Sequence, residues 1–152
     1  MLRRLTLLSL LLAISVTGFL QAPAESTAAT PEARMGLGIN YVRASHGLRP
    51  LHVSSGLTSS SRRRARLMVR RNVFGHFPSS ARHFSPIGEV IGLRWGRRAG
   101  TAKVLRQWLR SPGHRKVLLH RSMRYIGVAK ARGRMGRRMA VTWVVRVGGR
   151  RR

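Results

Sequence analysis

The stretch Trp108-Leu109-Arg110-Ser111-Pro112-Gly113-His114-Arg115 decides how this chain is read. Ser111 is a good N-cap, Pro112 suits the first helical position where its missing N–H costs nothing, and Gly113 lets the backbone turn closely. A short helix therefore begins here, with His114 in its first turn. Unpaired amides and the positive end of the dipole disfavour imidazolium at that place, so His114 is expected to be neutral at pH 7 and able to accept a proton or bind a metal. Two other short stretches bring comparable groups: Phe74-Gly75-His76, and Gly88-Glu89 ahead of the apolar pair Val90-Ile91. The acids number three, Glu25, Glu32 and Glu89, and only Glu89 lies in the body of the chain. Either it serves a ligand or it neutralises a buried arginine.

Outward from that segment, 152 residues suffice for one domain with a core of its own. Arg3 and Arg4, the apolar run Leu5 to Leu20 and the small-residue site Ala22-Pro23-Ala24 read as a secretory signal over residues 1–24, with a linker over 25–31. A secreted, extracellular or periplasmic location follows. Residues 5–20 become a membrane anchor if the signal is not cleaved. There is no cysteine, so packing must hold the fold and thiolate chemistry is excluded. With 31 Lys and Arg against three acids the net charge is +28, and such a surface attracts anionic cell-wall polymer or lipid. All but Lys103, Lys116 and Lys130 of those cations are arginine, a bias that composition alone can produce.

Thr30 as N-cap, Pro31 and Glu32 open a first helix whose inner face is Met35, Ile39 and Val42 and which stops before Gly47. Leu48 to Leu51 reads as an extended clip. A second helix spans about Ser54 to Arg71, with Leu57, Ser61, Ala65 and Met68 facing the core and Arg62, Arg63, Arg64, Arg66, Arg70 and Arg71 facing solvent. Within that outer face Arg62, Arg63, Arg66 and Arg70 are the candidate polyanion contacts. Asn72 to Arg98 is irregular, with a turn at Pro78-Ser79-Ser80 and a short strand over Glu89 to Leu93. A third helix from Gly100-Thr101 buries Val104, Leu105 and Trp108. Strands over Tyr125 to Ala131 and Met139 to Val147 pair as a hairpin around a basic turn, Arg132 to Arg138, and residues 149–152 form a basic tail. No helix-turn-helix or aromatic-studded basic strand occurs, so specific nucleic-acid binding is not expected.

Eight elements in order, Asn40-x-x-Arg43, Gly47-Leu48-x-Pro50-Leu51, Met68, Phe74-Gly75-His76, Gly88-Glu89, Trp108-x-x-Ser111-Pro112-Gly113-His114-Arg115, Ile126-Gly127-Val128 and Thr142-Trp143, resemble the CAP superfamily, also called SCP-like. The likeness is to its small cysteine-free bacterial members and covers residues 32–148. It implies an α+β fold: a three-layer α-β-α sandwich around a small antiparallel sheet, with a cleft holding two histidines and up to two glutamates. His76, Glu89 and His114 match three of those four positions. The second glutamate has no counterpart, and Val90 and Val117 stand where the family pattern has asparagine.

Two histidines and a carboxylate are a sufficient donor set for zinc or another divalent ion with an open position for water. A hydrolase would also employ a second carboxylate as general base, so binding is expected ahead of catalysis. The primary expectation is a monomeric, exported domain whose His76, Glu89 and His114 cleft takes a divalent ion or a small apolar ligand and whose arginine surface holds anionic polymer. The alternatives are a metal-dependent envelope hydrolase and a cationic membrane- or wall-active protein with a vestigial cleft. His46, His52, His83 and His120 are expected at the surface. Trp108 and Trp143 are expected in the core.

Overall fold

A computed structural model describes residues 28–77, 84–98 and 100–150. The expected signal over 1–24, the turn at Pro78-Ser79-Ser80 and His83 lie outside the described residues. The elements are α1 (Pro31–Ser45), β1 (His52–Val53), α2 (Ser55–Arg70), β2 (Phe84–Trp95), α3 (Thr101–Arg110), α4 (Pro112–Leu118), β3 (Tyr125–Met135) and β4 (Arg138–Arg150).

Helix starts follow from the caps. The Thr30 hydroxyl accepts from the Ala33 amide at 3.1 Å and the Ser54 hydroxyl from the Leu57 amide at 3.3 Å. Ser111 is the N-cap residue of α4 but makes no side-chain cap bond, so Pro112 and the change of direction define that boundary. In α1 the buried side is Met35, Ile39 and Arg43, with Arg43 rather than Val42 completing the face. Asn40 brackets the backbone of Leu51, donating to its carbonyl at 3.0 Å and accepting from its amide at 2.8 Å. Arg43 donates to the carbonyls of Arg49, Leu118 and His120. The Asn40-x-x-Arg43 pattern thus straps α1 to the 48–51 clip and to the end of α4.

The sheet order is β1-β3-β4-β2. Its three long strands are antiparallel, while β1 lies parallel to β3 through His52↔Tyr125 and Val53↔Ile126, so the sheet is mixed rather than wholly antiparallel. Alternation along β4 sorts the core. Val141, Trp143, Val145 and Val147 meet α1, α3 and α4 on one face, with Met35, Ile39, Val104, Trp108 and Leu118. Val144 and Ile91 meet Ala65 and Met68 of α2 on the other. The buried Trp108 indole donates to the Ile91 carbonyl at 2.8 Å and pins α3 to β2. At Gly127 a Cβ would stand 2.1 Å from the Leu57 backbone, so only glycine lets α2 lie this close to β3.

The strands outrun their sequence signals. β2 begins at Phe84, not Glu89, because its first half is an exposed edge with no alternation to announce it. β3 runs on to Met135 and β4 begins at Arg138, since ladder hydrogen bonds form whether the side chains are arginine or valine. β4 also continues through Gly149 to Arg150, taking in residues that read as a tail.

Candidate functional site

Glu89 lies in β2 directly opposite Arg146 of β4. Its neighbour Gly88 points to the other face, where a Cβ would come within 2.6 Å of Val117 in α4. The pair Gly88-Glu89 therefore does two things at once: the glycine admits α4 and the next residue turns its carboxylate toward α2. There Oε2 accepts two bonds from Arg146, from Nε at 2.8 Å and Nη2 at 2.7 Å, and Nε of Arg64 stands 3.6 Å away. Arg146 also donates to the Ser60 hydroxyl. Arg64 donates to the Phe77 carbonyl at 2.8 Å and its guanidinium lies over the Phe77 ring.

His76, exposed on the loop after α2, sets Nδ1 3.0 Å from Oε1 of Glu89. His114 is half-buried in α4, and its Nδ1 is shut off from solvent without a hydrogen-bond partner among the described residues. Burial first, and the charge of His76 second, push the His114 imidazole below the usual histidine range. It is neutral at pH 7, as its place in the helix suggested. The dominant cause is desolvation rather than the helix terminus. Of the three sequence-chosen residues, His76 and Glu89 are in direct contact, while His114 stands on α4 without a hydrogen bond to either.

The residues that sequence reasoning missed here are Arg64, Arg146 and Ser60. Arg64 read as part of the solvated face of α2 but is buried, and Arg146 is buried within an apolar strand. A signal existed for both. Arg64 falls on the same stripe as Leu57, Ser61, Ala65 and Met68, and Arg146 shares the α2-facing parity of Thr142 and Val144.

This donor set does not fit a divalent cation. Both oxygens of Glu89 already take N–H donors, and the guanidinium groups of Arg146 and Arg64 crowd its Oε2 with positive charge that repels a cation. Among the described residues no three His, Asp or Glu side chains are grouped to hold a metal ion. Of the three cleft side chains, His114 is the one with a buried atom, Nδ1, still seeking a partner.

A second feature lies on the outer side of α2. Arg62, Arg63, Arg66 and Arg70, all exposed, line with Arg132 of β3 an open groove of about 450 Å³. His46 and His52 are exposed and His120 is half-buried. Among the described residues no helix is long and apolar enough to cross a membrane.

A family model described as the cysteine-rich secretory protein family matches residues 38–147. No curated protein matches the sequence. Among solved structures the chain is similar to an outer surface protein from Borrelia burgdorferi, with 20% identity, a TM-score of 0.65, and coverage of 80% of this chain and 93% of that one. It is also similar to an extracellular protein containing an SCP domain from Bacillus anthracis, at 21% identity and a TM-score of 0.55 over 75% of this chain and 40% of that one. Venom allergen-like protein 4 of Schistosoma mansoni is similar at 11% identity and a TM-score of 0.57, over 82% and 91%.

Proposed function

The chain belongs to the cysteine-rich secretory protein family, and from that premise we propose that it is a non-catalytic binding domain of the extracellular or envelope space that holds an anionic polymer in the groove between α2 and β3. The observation that carries this reading is the row of Arg62, Arg63, Arg66 and Arg70 facing Arg132 across an open depression. Arginine forks suit phosphate and carboxylate groups, and a groove lets several act on one chain. Among the described residues no acid pairs with those arginines. Glu89, which faces α2, is taken up by Arg146, Arg64 and His76 inside the fold.

The same arrangement speaks against hydrolysis as the role of the cleft. A general base needs a free acceptor within reach of water, and both oxygens of Glu89 are engaged. Outer-surface and extracellular proteins among the structural relatives support the location, as does the secretory signal read in residues 1–24.

Retention on immobilised inorganic polyphosphate tests the reading. Replacing Arg62, Arg63, Arg66 and Arg70 by serine should weaken binding at least about tenfold and flatten its salt dependence. A control set with equal charge loss, Arg106, Arg110, Lys116 and Arg121 to serine, should lower it far less. Equal losses in the two sets would show that net charge alone binds and would remove the groove from the account.

A further inference from the structure

Three of the exposed large apolar side chains lie at the β3–β4 hairpin end of the molecule. Trp95 ends β2 and is 45% exposed; Val73 and Phe74, in the loop after α2, are 44% and 42% exposed. Both segments are tied to the β3–β4 hairpin. Asn72 accepts a hydrogen bond from the Gly136 amide at 2.6 Å, which sets Val73 and Phe74 beside the turn. Trp95 pairs with Ala140, the Gly96 amide donates to the Met139 carbonyl at 2.7 Å, and the Arg138 guanidinium lies 4.8 Å from the centre of the Trp95 ring. Exposed arginines surround them: Arg71, Arg97, Arg98, Arg137 and Arg138. The described acids are elsewhere, Glu32 against Lys130 and Glu89 under His76.

We propose that this hairpin end seats on an anionic lipid surface, with Trp95, Phe74 and Val73 entering the headgroup region and the surrounding arginines meeting lipid phosphates. This site is separate from the polymer groove and does not depend on it. Aromatic and aliphatic side chains ringed by cations are the composition that a bilayer interface favours: the rings bury among glycerol and upper acyl groups while the guanidinium groups stay with phosphate. Arg138 over Trp95 already presents both halves of that contact in one pair. A soluble polymer has nothing to gain from the three apolar groups. A second copy of this chain would set arginine against arginine, and an apolar protein surface would strip water from guanidinium groups that have no described acids here to pair them.

The test uses vesicles of phosphatidylcholine alone and of phosphatidylcholine mixed with phosphatidylglycerol, with tryptophan emission as readout. Trp108 and Trp143 are 1% and 0% exposed, so Trp95 is the tryptophan that a surface can reach. Emission should shift to the blue on the anionic vesicles only, and lipids brominated on the upper acyl chain should quench it. In W95F the shift should vanish while co-sedimentation persists, which assigns the signal without depending on a destabilising change. The V73S, F74S and W95S triple variant should lose at least about tenfold in vesicle affinity, whereas the groove variant lacking Arg62, Arg63, Arg66 and Arg70 should keep the shift. Sedimentation with anionic vesicles but no change in Trp95 emission would mean adsorption by charge alone and would overturn the proposal. So would loss of vesicle binding in the groove variant with full binding in the triple variant. Because polyphosphate retention is read separately, failure here leaves the groove reading standing.

Discussion

Two buried guanidinium sites, one on each face of the sheet, meet the same difficulty in different ways. On the α2 face Arg146 and Arg64 close on the carboxylate of Glu89. On the opposite face Arg43 is fully buried among carbonyls: those of Arg49, Leu118 and His120 take three bonds, and among the described residues its Nη2 has no partner and no acid pairs with it. Burial, and then the charge of Arg124, press Arg43 below the usual arginine range. A charge taken out of water needs either a counter-charge or a full set of dipoles. A chain with three acids can supply the first solution at one place and must use the second elsewhere. The contrast makes Glu89 a structural counter-ion in this chain, while the carbonyl cage serves as a strap between α1 and α4.

The largest effect that would sharpen this contrast is expected from E89Q. It keeps shape but removes the carboxylate charge that Arg146 and Arg64 meet inside the fold, and removing one member of such a buried pair costs about 3–5 kcal/mol. Chemical denaturation reads it directly. A loss below about 1 kcal/mol would place Glu89 among exposed ion pairs and dissolve the contrast. R43M should cost less, about 1–3 kcal/mol, because it frees carbonyls rather than an opposite charge and fills the space with apolar atoms. If R43M proves the more damaging change, the carbonyl cage and not the ion pair is the stronger of the two.

Much of the fold was legible because its signals are local. The cap at Thr30, the Ser111-Pro112 break and the stripe Leu57, Ser61, Ala65 and Met68 each act over a turn or two of helix, and each stands where it was expected. The first half of β2 was not legible. Its residues Phe84 to Gly88 are an edge whose shape comes from pairing with Gly148 and Arg150 about sixty residues later. The site split in the same manner. His76, Glu89 and His114 could be named from their motifs, whereas Arg64 read as part of the solvated face of α2 and Arg146 did not stand out among 28 arginines. Stripe and strand parity mark both as inward-facing, and the carboxylate of Glu89 supplies the counter-charge they meet there.

His114 offers a third solution that arginine cannot use, which is to give up its proton. Its folded-state value is lowered, by burial and then by His76, while the unfolded ring titrates near the ordinary value of about 6.5. Between those two values the unfolded chain holds more protons than the folded one, so stability rises with pH there. The neutral ring's contribution is accordingly complete above about pH 6.5 and is lost as pH falls toward the depressed folded-state value. H114Q removes the titration but keeps a polar side chain in place. Its thermal midpoint should therefore fall less than that of the parent chain on acidification from pH 7 to pH 5, with the two curves parallel above neutrality. Replacing His76 by Gln should move the His114 titration, followed by NMR of the ring, back toward the ordinary value by the smaller of its two causes, leaving the larger shift from burial in place. If H76Q instead restores the whole shift, charge rather than desolvation keeps this ring neutral, and the third solution reduces to the first with the sign reversed.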